Sequence, residues 1–395
     1  MTDQVRSGII GAGFIGSVHA QAVRAAGGVV AAVSDQSPES TASAAVRLGA
    51  LSAAESAEAL IASDDIDVVH ICTPNNLHAP LARLALQSGK VVICEKPLAT
   101  SLADAEELAA LAAGRITGVP FVYRYYQTVR EARVRVQRGD VGKLWVLHGS
   151  YLQDWLSSSS DSNWRVDAAV GGSSRAFGDI GVHWCDLVEF VSGHRITRLC
   201  AQKRTAIQSR HSTTQVLTED IATVMFETDL GAIGSLVVSQ VSPGRKNRLW
   251  FSLDGAEQSL SFDQELPETL WVGTRTGATV VPRGLPPMAS TSPGLNALPP
   301  GHPQGYQDCF NAFVGDVYAA VTTGAPAGLP AFADGLRAAR ITQSVLDSAA
   351  RDGWVDVALP GARQDQFDLP SSAGSNGSAV EQDDRVSPPT GAAGR

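Results

Sequence analysis

Short, continuous apolar runs alternate with amphipathic stretches through the first third of the chain. The runs "SGII", "VVAAVSD", "IDVVHICTP", "VVICEKP" and "VPFVYRY" end at Gly11, Asp35, Pro74, Pro97 and near Tyr125. Between them "SVHAQAVRAAG", "HAPLARLALQSG" and "SLADAEELAALAAG" repeat apolar residues at helical spacing, and all three close on glycine, as helices tend to. Strands that are apolar throughout, separated by helices, predict βαβ units: a parallel sheet covered on both faces, with right-handed crossovers. The expectation is a doubly wound domain over residues 1–124.

After a helix and turn in "VREARVRVQRGDVGKL" the pattern changes. "WVLHGSYLQDW", "ITRLCAQKR", "EDIATVMFET", "GAIGSLVVSQ", "NRLWFSLDG" and "QSLSFD" mostly alternate apolar with polar and are joined by glycine-containing turns. That alternation predicts a large, open, mostly antiparallel sheet in a second, α+β domain over residues 125–360. Two more helices follow a proline-rich loop, in "GYQDCFNAFVGDVYAAVTTG" and "AFADGLRAARITQSVLDSAARDG". Residues 361–395 are too poor in apolar groups to order themselves and are expected to be a disordered tail.

Into the second region is set "GDIGVHWCDLVEF", a helix apolar enough to be buried yet carrying Asp179, His183 and Asp186 at offsets of four and seven, on one helical face. Such a stripe costs several kcal/mol, of order 2–7 for each unpaired group, unless it is paired or faces a ligand. Bound to zinc or manganese with help from another segment, it would be a metal site. A lysine converging on the same point argues against that, and no metal is expected.

The first turn supplies a candidate ligand. Gly11, Gly13 and Gly16 stand in G-x-G-x-x-G spacing, with Phe14 and Ile15 inside the motif, after a strand and at the start of a helix. Asp35 closes the next strand at about the ~20-residue distance of the dinucleotide fingerprint. Gly11 would allow the turn, Gly13 would let backbone approach a pyrophosphate and Gly16 would let helix pack on sheet. Asp35 can accept both ribose hydroxyls and would repel a 2′-phosphate, and "QSPES" after it offers no Arg or Lys, so NAD is expected over NADP. In open parallel sheets ligands lie beyond the carboxyl ends of the strands. There the chain places Thr73, Pro74, Asn75, Asn76 and His78, and then Glu95 and Lys96. Lys96, at the buried end of an apolar strand, would set its ammonium beside the nicotinamide and a substrate hydroxyl, unless it merely pairs with Glu95.

Composition narrows the class. With 395 residues, 44% of them hydrophobic, the chain can fill two cores. A formal charge of −9, with no run of Lys and Arg, argues against nucleic acid as a partner. Five scattered cysteines, none in a C-x-x-C pair, argue against a disulfide framework or a thiolate zinc site. No stretch nears the ~18 apolar residues of a membrane span, and "MTDQVRSGIIGAG" shows no basic n-region followed by an apolar h-region, so no leader is expected. A soluble, cytoplasmic protein with no membrane partner is expected.

Four segments in order carry a resemblance: "GIIGAGFIGSVHA", "CTPNNLHAPLARLALQSGKVVICEKPLA", the D-x-x-x-H-x-x-D of "GDIGVHWCD", and the closing "GLRAARITQSVLDSAARDGWVDV". Over residues 5 to about 357 the sequence resembles the Gfo/Idh/MocA family of sugar and cyclitol oxidoreductases. The resemblance implies a Rossmann domain, then an α/β domain whose open sheet often serves oligomerisation, so a homodimer or homotetramer. It implies that Lys96, Asp179 and His183 are catalytic and that Arg124 in "VYRYYQ" lies near the cofactor amide. The departure is "GGSSRAFGDIG", where Arg175, Ala176 and Phe177 replace small or aliphatic residues.

His183, neutral at physiological pH, would take the proton of a secondary alcohol, Lys96 would bond the reacting oxygen, and Asp179 would orient the imidazole or hold Lys96. Asp186 would only support them. Substrate candidates, besides the catalytic three, are Gln153, Asp154, Trp164 and Arg165 in "SYLQDWLSSSSDSNWRVD"; Trp155 and His302 have bracing or surface-loop alternatives. The expected activity is NAD-dependent oxidation of a ring hydroxyl of a sugar, glycoside or inositol. The alternatives are a glycoside-remodelling enzyme with tightly bound NAD and transient oxidation, or a non-catalytic NAD-sensing regulator.

Overall fold

The computed structural model describes residues 4–210, 215–284, 298–324 and 326–359; the expected tail from residue 361 lies outside them. The first sheet holds β1 (Arg6–Ile10), β2 (Val29–Ser34), β3 (Ser52–Ala53), β4 (Val68–Ile71), β5 (Val91–Cys94) and β6 (Thr117–Gly118), all parallel, in the order 3-2-1-4-5-6. That order belongs to the dinucleotide-binding doubly wound fold. The crossovers carry α1 (Phe14–Ala25), α2 (Pro38–Leu48), α3 (Ala57–Ala62), α4 (His78–Gln87) and α5 (Leu102–Leu111). Local chemistry sets the helix ends: Ser37 caps α2 by accepting the Ser40 N–H, Pro38 starts that helix, and Gly49 ends it in the left-handed region.

One expected strand is corrected. The strand is only Thr117–Gly118 and ends before "VPFVYRY" begins; Val122–Tyr125 wind into a 3-10 turn with every side chain buried. A short run that is apolar on all sides reads the same as strand or as buried helix, and Pro120 denies the ladder a donor.

Helix α6 (Gln127–Arg138) then leads to a nine-stranded sheet among the described residues. Its strands are β7 (Leu144–Leu152), β8 (Ile196–Arg204), β9 (Ile221–Thr228), β10 (Ile233–Ser239), β11 (Arg248–Gly255), β12 (Ser259–Asp263), β13 (Thr269–Thr274), β14 (Gly277–Pro282) and β15 (Val355–Asp356). Neighbours are antiparallel except for the central parallel pair of β7 with β10. Between β7 and β8 lie α7 (Ala168–Gly171) and α8 (Val182–Ser192). Helix α8 is fixed to the sheet by Trp184, fully buried, whose indole N–H donates to the Trp250 carbonyl at 2.9 Å. Gly149 leaves the room: a Cβ there would lie 2.1 Å from that carbonyl and 2.5 Å from the indole nitrogen. Burying Trp184, Leu187 and Val188 supplies roughly 1.5–3 kcal/mol per side chain.

The last two helices, α9 (Tyr306–Thr323) and α10 (Phe332–Arg351), return to the parallel sheet. A Cβ on Gly118 would meet Phe313 and Val317 of α9, and one on Gly335 of α10 would meet Leu98 and Val119. Sequence distance hid this; both helices read as part of the second region alone. No helix among the described residues is long and apolar enough to cross a membrane.

Candidate active site

The carboxyl ends of β1, β2, β4 and β5 open on one edge of the parallel sheet, and the glycines there behave as the fingerprint requires. Gly11 has φ +90°, and a Cβ on it would lie 2.6 Å from the Cys72 carbonyl oxygen. A Cβ on Gly16 would strike the Gly11 carbonyl at 2.2 Å, so α1 can approach only with glycine there. Around Gly13 a Cβ would meet nothing within 4 Å, and the N-terminus of α1 has no side-chain cap, which leaves its N–H groups free for an anion. Phe14 is exposed and Ile15 half-buried. The Asp35 carboxylate makes no hydrogen bond among the described residues; only its backbone is tied, to Thr41. A free carboxylate past β2 and open backbone at Gly13 suit the ribose and pyrophosphate of a dinucleotide. Arg47, overlooked in sequence, braces the loop from α2 through the Ala12 carbonyl at 2.5 Å and the Ser17 hydroxyl at 2.8 Å.

The second loop divides. Thr73 and Pro74 follow β4, with the Thr73 hydroxyl buried and unpaired among the described residues, and Asn76 is exposed. The side chains of Asn75 and His78, expected at the cofactor, hold loops together. The Asn75 amide donates to the Gly171 carbonyl at 2.8 Å, and the His78 ring nitrogens lie 2.7 and 3.0 Å from the Pro97 and Thr73 carbonyls. Glu95 is buried; it accepts the Lys96 N–H at 3.1 Å and faces His19 at 3.1 Å.

Lys96 does not pair with Glu95. Its ammonium donates to the Asp179 carboxylate at 2.6 Å and to the Asp179 carbonyl at 3.0 Å, 83 positions along the chain. The two side chains are 12% and 13% exposed, so the pair is shielded but reachable. Arg165 approaches the same Asp179 oxygen at 3.3 Å, with its guanidinium over the Trp164 ring at 4.2 Å, and Gln240 donates to the other oxygen at 2.8 Å. Burial opposes the charge on Asp179, but Lys96 and Arg165 outweigh it and hold the carboxyl well below its usual range.

The helix start differs from the sequence reading. Phe177–Gly181 form a π-turn ahead of α8, a form that often marks functional sites. The Phe177 ring covers Gly181 so closely that a Cβ there would lie 2.6 Å from it. Asp179 and His183 both reach the site, yet they form no hydrogen bond with each other; Asp179 holds Lys96 and does not orient the imidazole. The His183 Nδ1 is buried and has no partner among the described residues. Its ring stands edge-on to Phe121 and Tyr123, at 5.7 and 5.1 Å between centroids, with Tyr151 at 6.4 Å. Burial, then Lys96, push its pKa well down despite Asp179, so the imidazole is neutral. Tyr123, raised to about 12 chiefly by burial, stays a phenol. It is linked to Tyr151, and Asn247 bonds both.

Arg124, expected near the cofactor amide, is tied into a network of side chains. Its guanidinium is clamped by both oxygens of Asp186, by Asp334 at 2.7 Å and by the Gly328 carbonyl, and it lies over Phe190. Burial opposes its charge, but Asp186 and Asp334 keep it protonated. It joins the 3-10 turn, α8 and α10. Asp186 is therefore the supporting member of the stripe. Asp179 and Asp186 both take cations, and no group of three or more His, Cys, Asp or Glu among the described residues is arranged to hold a metal.

Of the substrate candidates, only Arg165 touches the Lys96–Asp179 pair. Gln153 is held between the Trp155 indole and Asn247, both at 2.7 Å, and Asp154 is taken by Lys246 at 2.7 Å and the Gly244 N–H at 3.0 Å, so both brace the loop. His302 is exposed. Gln240 and Asn247 were missed, since a lone amide in a strand-like segment gives no sequence signal.

The sequence matches "Oxidoreductase family, NAD-binding Rossmann fold" over residues 5–119 and "GFO/IDH/MocA C-terminal domain" over residues 129–261. It is 30% identical to levoglucosan dehydrogenase of Pseudarthrobacter phenanthrenivorans over 385 residues, covering 89% of this chain and 97% of that protein. The solved levoglucosan dehydrogenase complex with NADH and levoglucosan aligns with a TM-score of 0.84 at 30% identity, covering 90% of this chain and all (100%) of that one. An inositol dehydrogenase homologue from Azotobacter vinelandii, solved with NADH and myo-inositol, aligns with a TM-score of 0.79 at 26% identity over 90% and 98% of the two chains. With its Rossmann sheet, dinucleotide loop and mixed second sheet, the chain belongs to the Gfo/Idh/MocA family and is an NAD-binding oxidoreductase.

Proposed function

We propose that this protein oxidises a secondary ring hydroxyl of a sugar, glycoside or inositol with NAD. The carrying observation is the Lys96–Asp179 pair, 2.6 Å apart, beside a buried, neutral His183 whose Nδ1 has no partner among the described residues. NAD, when bound, supplies the hydride acceptor. Gly11, Gly13, Gly16 and Asp35 would hold it, and the site's own residues handle the proton. His183 takes the hydroxyl proton as the carbinol carbon loses its hydride, and Lys96 donates a hydrogen bond to the oxygen as it becomes a carbonyl. Asp179 holds the Lys96 ammonium in place through the 2.6 Å contact. Phe121, Tyr123 and Tyr151 wall the imidazole from water, so each polar contact acts at reduced dielectric.

The similarity to levoglucosan dehydrogenase puts levoglucosan first among substrates to try, ahead of inositols, aldoses and glycosides. The test is NADH formation across that panel, with Lys96→Ala expected to abolish it; full activity in that variant would remove Lys96 from the chemistry. The assembly is read as a cytoplasmic homodimer or homotetramer. What supports an oligomer is the outer face of the nine-stranded sheet, where Trp145, Met225, Ile233, Val237 and Trp271 stand exposed. Light scattering that finds only monomer would refute it.

A further inference from the structure

We infer that Gln240 and Glu219, on one corner of the large sheet, are positioning residues for the Asp179–Lys96 pair; this rests on the proposed oxidation. The corner is the shared end of β9 and β10, where the Gln240 N–H donates to the Asp220 carbonyl at 3.0 Å. Glu219, Asp220 and Gln240 are each at most 2% exposed. Glu219 and Asp220 face the approach to the π-turn, and Gln240 faces the turn itself.

Each holds a different part of it. One Glu219 oxygen accepts the Ser174 hydroxyl at 2.7 Å and the N–H groups of Arg175 and Phe177 at 3.0 Å each, while its backbone carbonyl accepts the Ala176 N–H at 3.2 Å. Glu219 thus satisfies from a distant strand the orphan donors that a helix start usually gives to a local cap. Asp220 pairs with Arg175 and Arg210 and accepts the N–H groups of Ala206 and Ile207. The Arg175 carbonyl accepts the Asp179 N–H at 2.8 Å, which carries the hold on Arg175 into the backbone of Asp179. Gln240 completes it at the side chain: its amide fixes one Asp179 oxygen at 2.8 Å and leaves the other to Lys96 and Arg165. Without that donor the carboxylate can turn about its terminal torsion, which is broad and roughly two-fold.

The test uses the full-length protein and the variants Gln240→Met, Glu219→Gln and Glu219→Leu. Two readouts are taken: kcat and KM on the best panel substrate, and the rate of Lys96 reductive methylation followed by mass spectrometry. Gln240→Met is expected to lower kcat about 10- to 100-fold with NADH affinity within threefold, and to raise Lys96 labelling several-fold. Glu219→Gln, which keeps an accepting oxygen, should retain most activity, and Glu219→Leu should not. A folded Gln240→Met protein with kcat within threefold of wild type and unchanged labelling overturns the inference. If Glu219→Leu fails to fold, Gln240→Met decides. If wild type turns over no panel member, the proposed oxidation fails, and Lys96 labelling alone still decides whether the corner positions the pair.

Discussion

Replacing Lys96 with methionine keeps the stem and removes one charge. Among the described residues Lys96 is the only ammonium on the Asp179 carboxylate, and on the proposed reading the reacting oxygen would lose its charged donor. Removing one preorganised donor from a developing oxyanion costs about 3–4 kcal/mol, or roughly 10²–10³ in kcat. Stability changes less. Breaking a buried pair costs about 3–5 kcal/mol when the survivor is left alone, but Asp179 keeps Arg165 at 3.3 Å and Gln240 at 2.8 Å, so a loss of about 1–2 kcal/mol is expected. Lys96 is also the second cause of the low His183 pKa; with it gone, burial remains and Asp179 still pulls upward. The His183 limb of the kcat/KM profile should therefore move to higher pH, toward the ordinary histidine value. The assay is steady-state NADH formation from pH 5 to 9, with NAD binding followed by fluorescence as the control. Activity within fivefold of wild type and an unmoved acidic limb would reduce Lys96 to a structural ion pair.

Four further outcomes are expected. Asp35→Ser should weaken NAD binding about tenfold, near 1.4 kcal/mol, and narrow its preference over NADP; titrations giving an unchanged ratio would refute the ribose contact. Gly11→Ala forces a Cβ against the Cys72 carbonyl at positive φ and should cost about 1–3 kcal/mol by denaturant unfolding, with NAD binding lost. Arg124→Met leaves Asp186 buried without its main partner and should destabilise by about 3–5 kcal/mol, while the folded fraction keeps its NAD affinity within a few-fold. Asp179→Asn tests linkage: a carboxyl whose folded pKa is depressed adds stability above its unfolded pKa, near 4, and loses it as pH falls toward the folded value. The gap in unfolding free energy between wild type and Asp179→Asn should shrink from pH 7 to pH 3, and a constant gap would contradict the depressed pKa.

What could be read from the chain followed local physics. Glycine spacing, strand runs and the Asp35 position arise within one βαβ unit, so the parallel sheet and the dinucleotide loop were visible. Lys96 stood out because a cation at the end of an apolar strand needs a partner, but the sequence offered Glu95 and the structure supplies Asp179, 83 positions away. Helical spacing put Asp179 and His183 together without showing that a π-turn separates their roles. The partners of Arg124, Asp186 and Asp334, lie on α8 and α10 and were not legible, because tertiary pairing leaves no periodic trace. Gln153 and Asp154 were chosen by residue type, and both are absorbed by nearby loop contacts.

The most direct test of the proposed oxidation is the NADH yield of the purified wild-type protein with NAD and, one at a time, levoglucosan, inositols, aldoses and glycosides. NADH formed one for one with oxidised product from at least one of them is the expected result. Product without net NADH would point to transient oxidation on a retained cofactor, and a protein that binds NAD yet yields neither would contradict the catalytic reading of Lys96, Asp179 and His183.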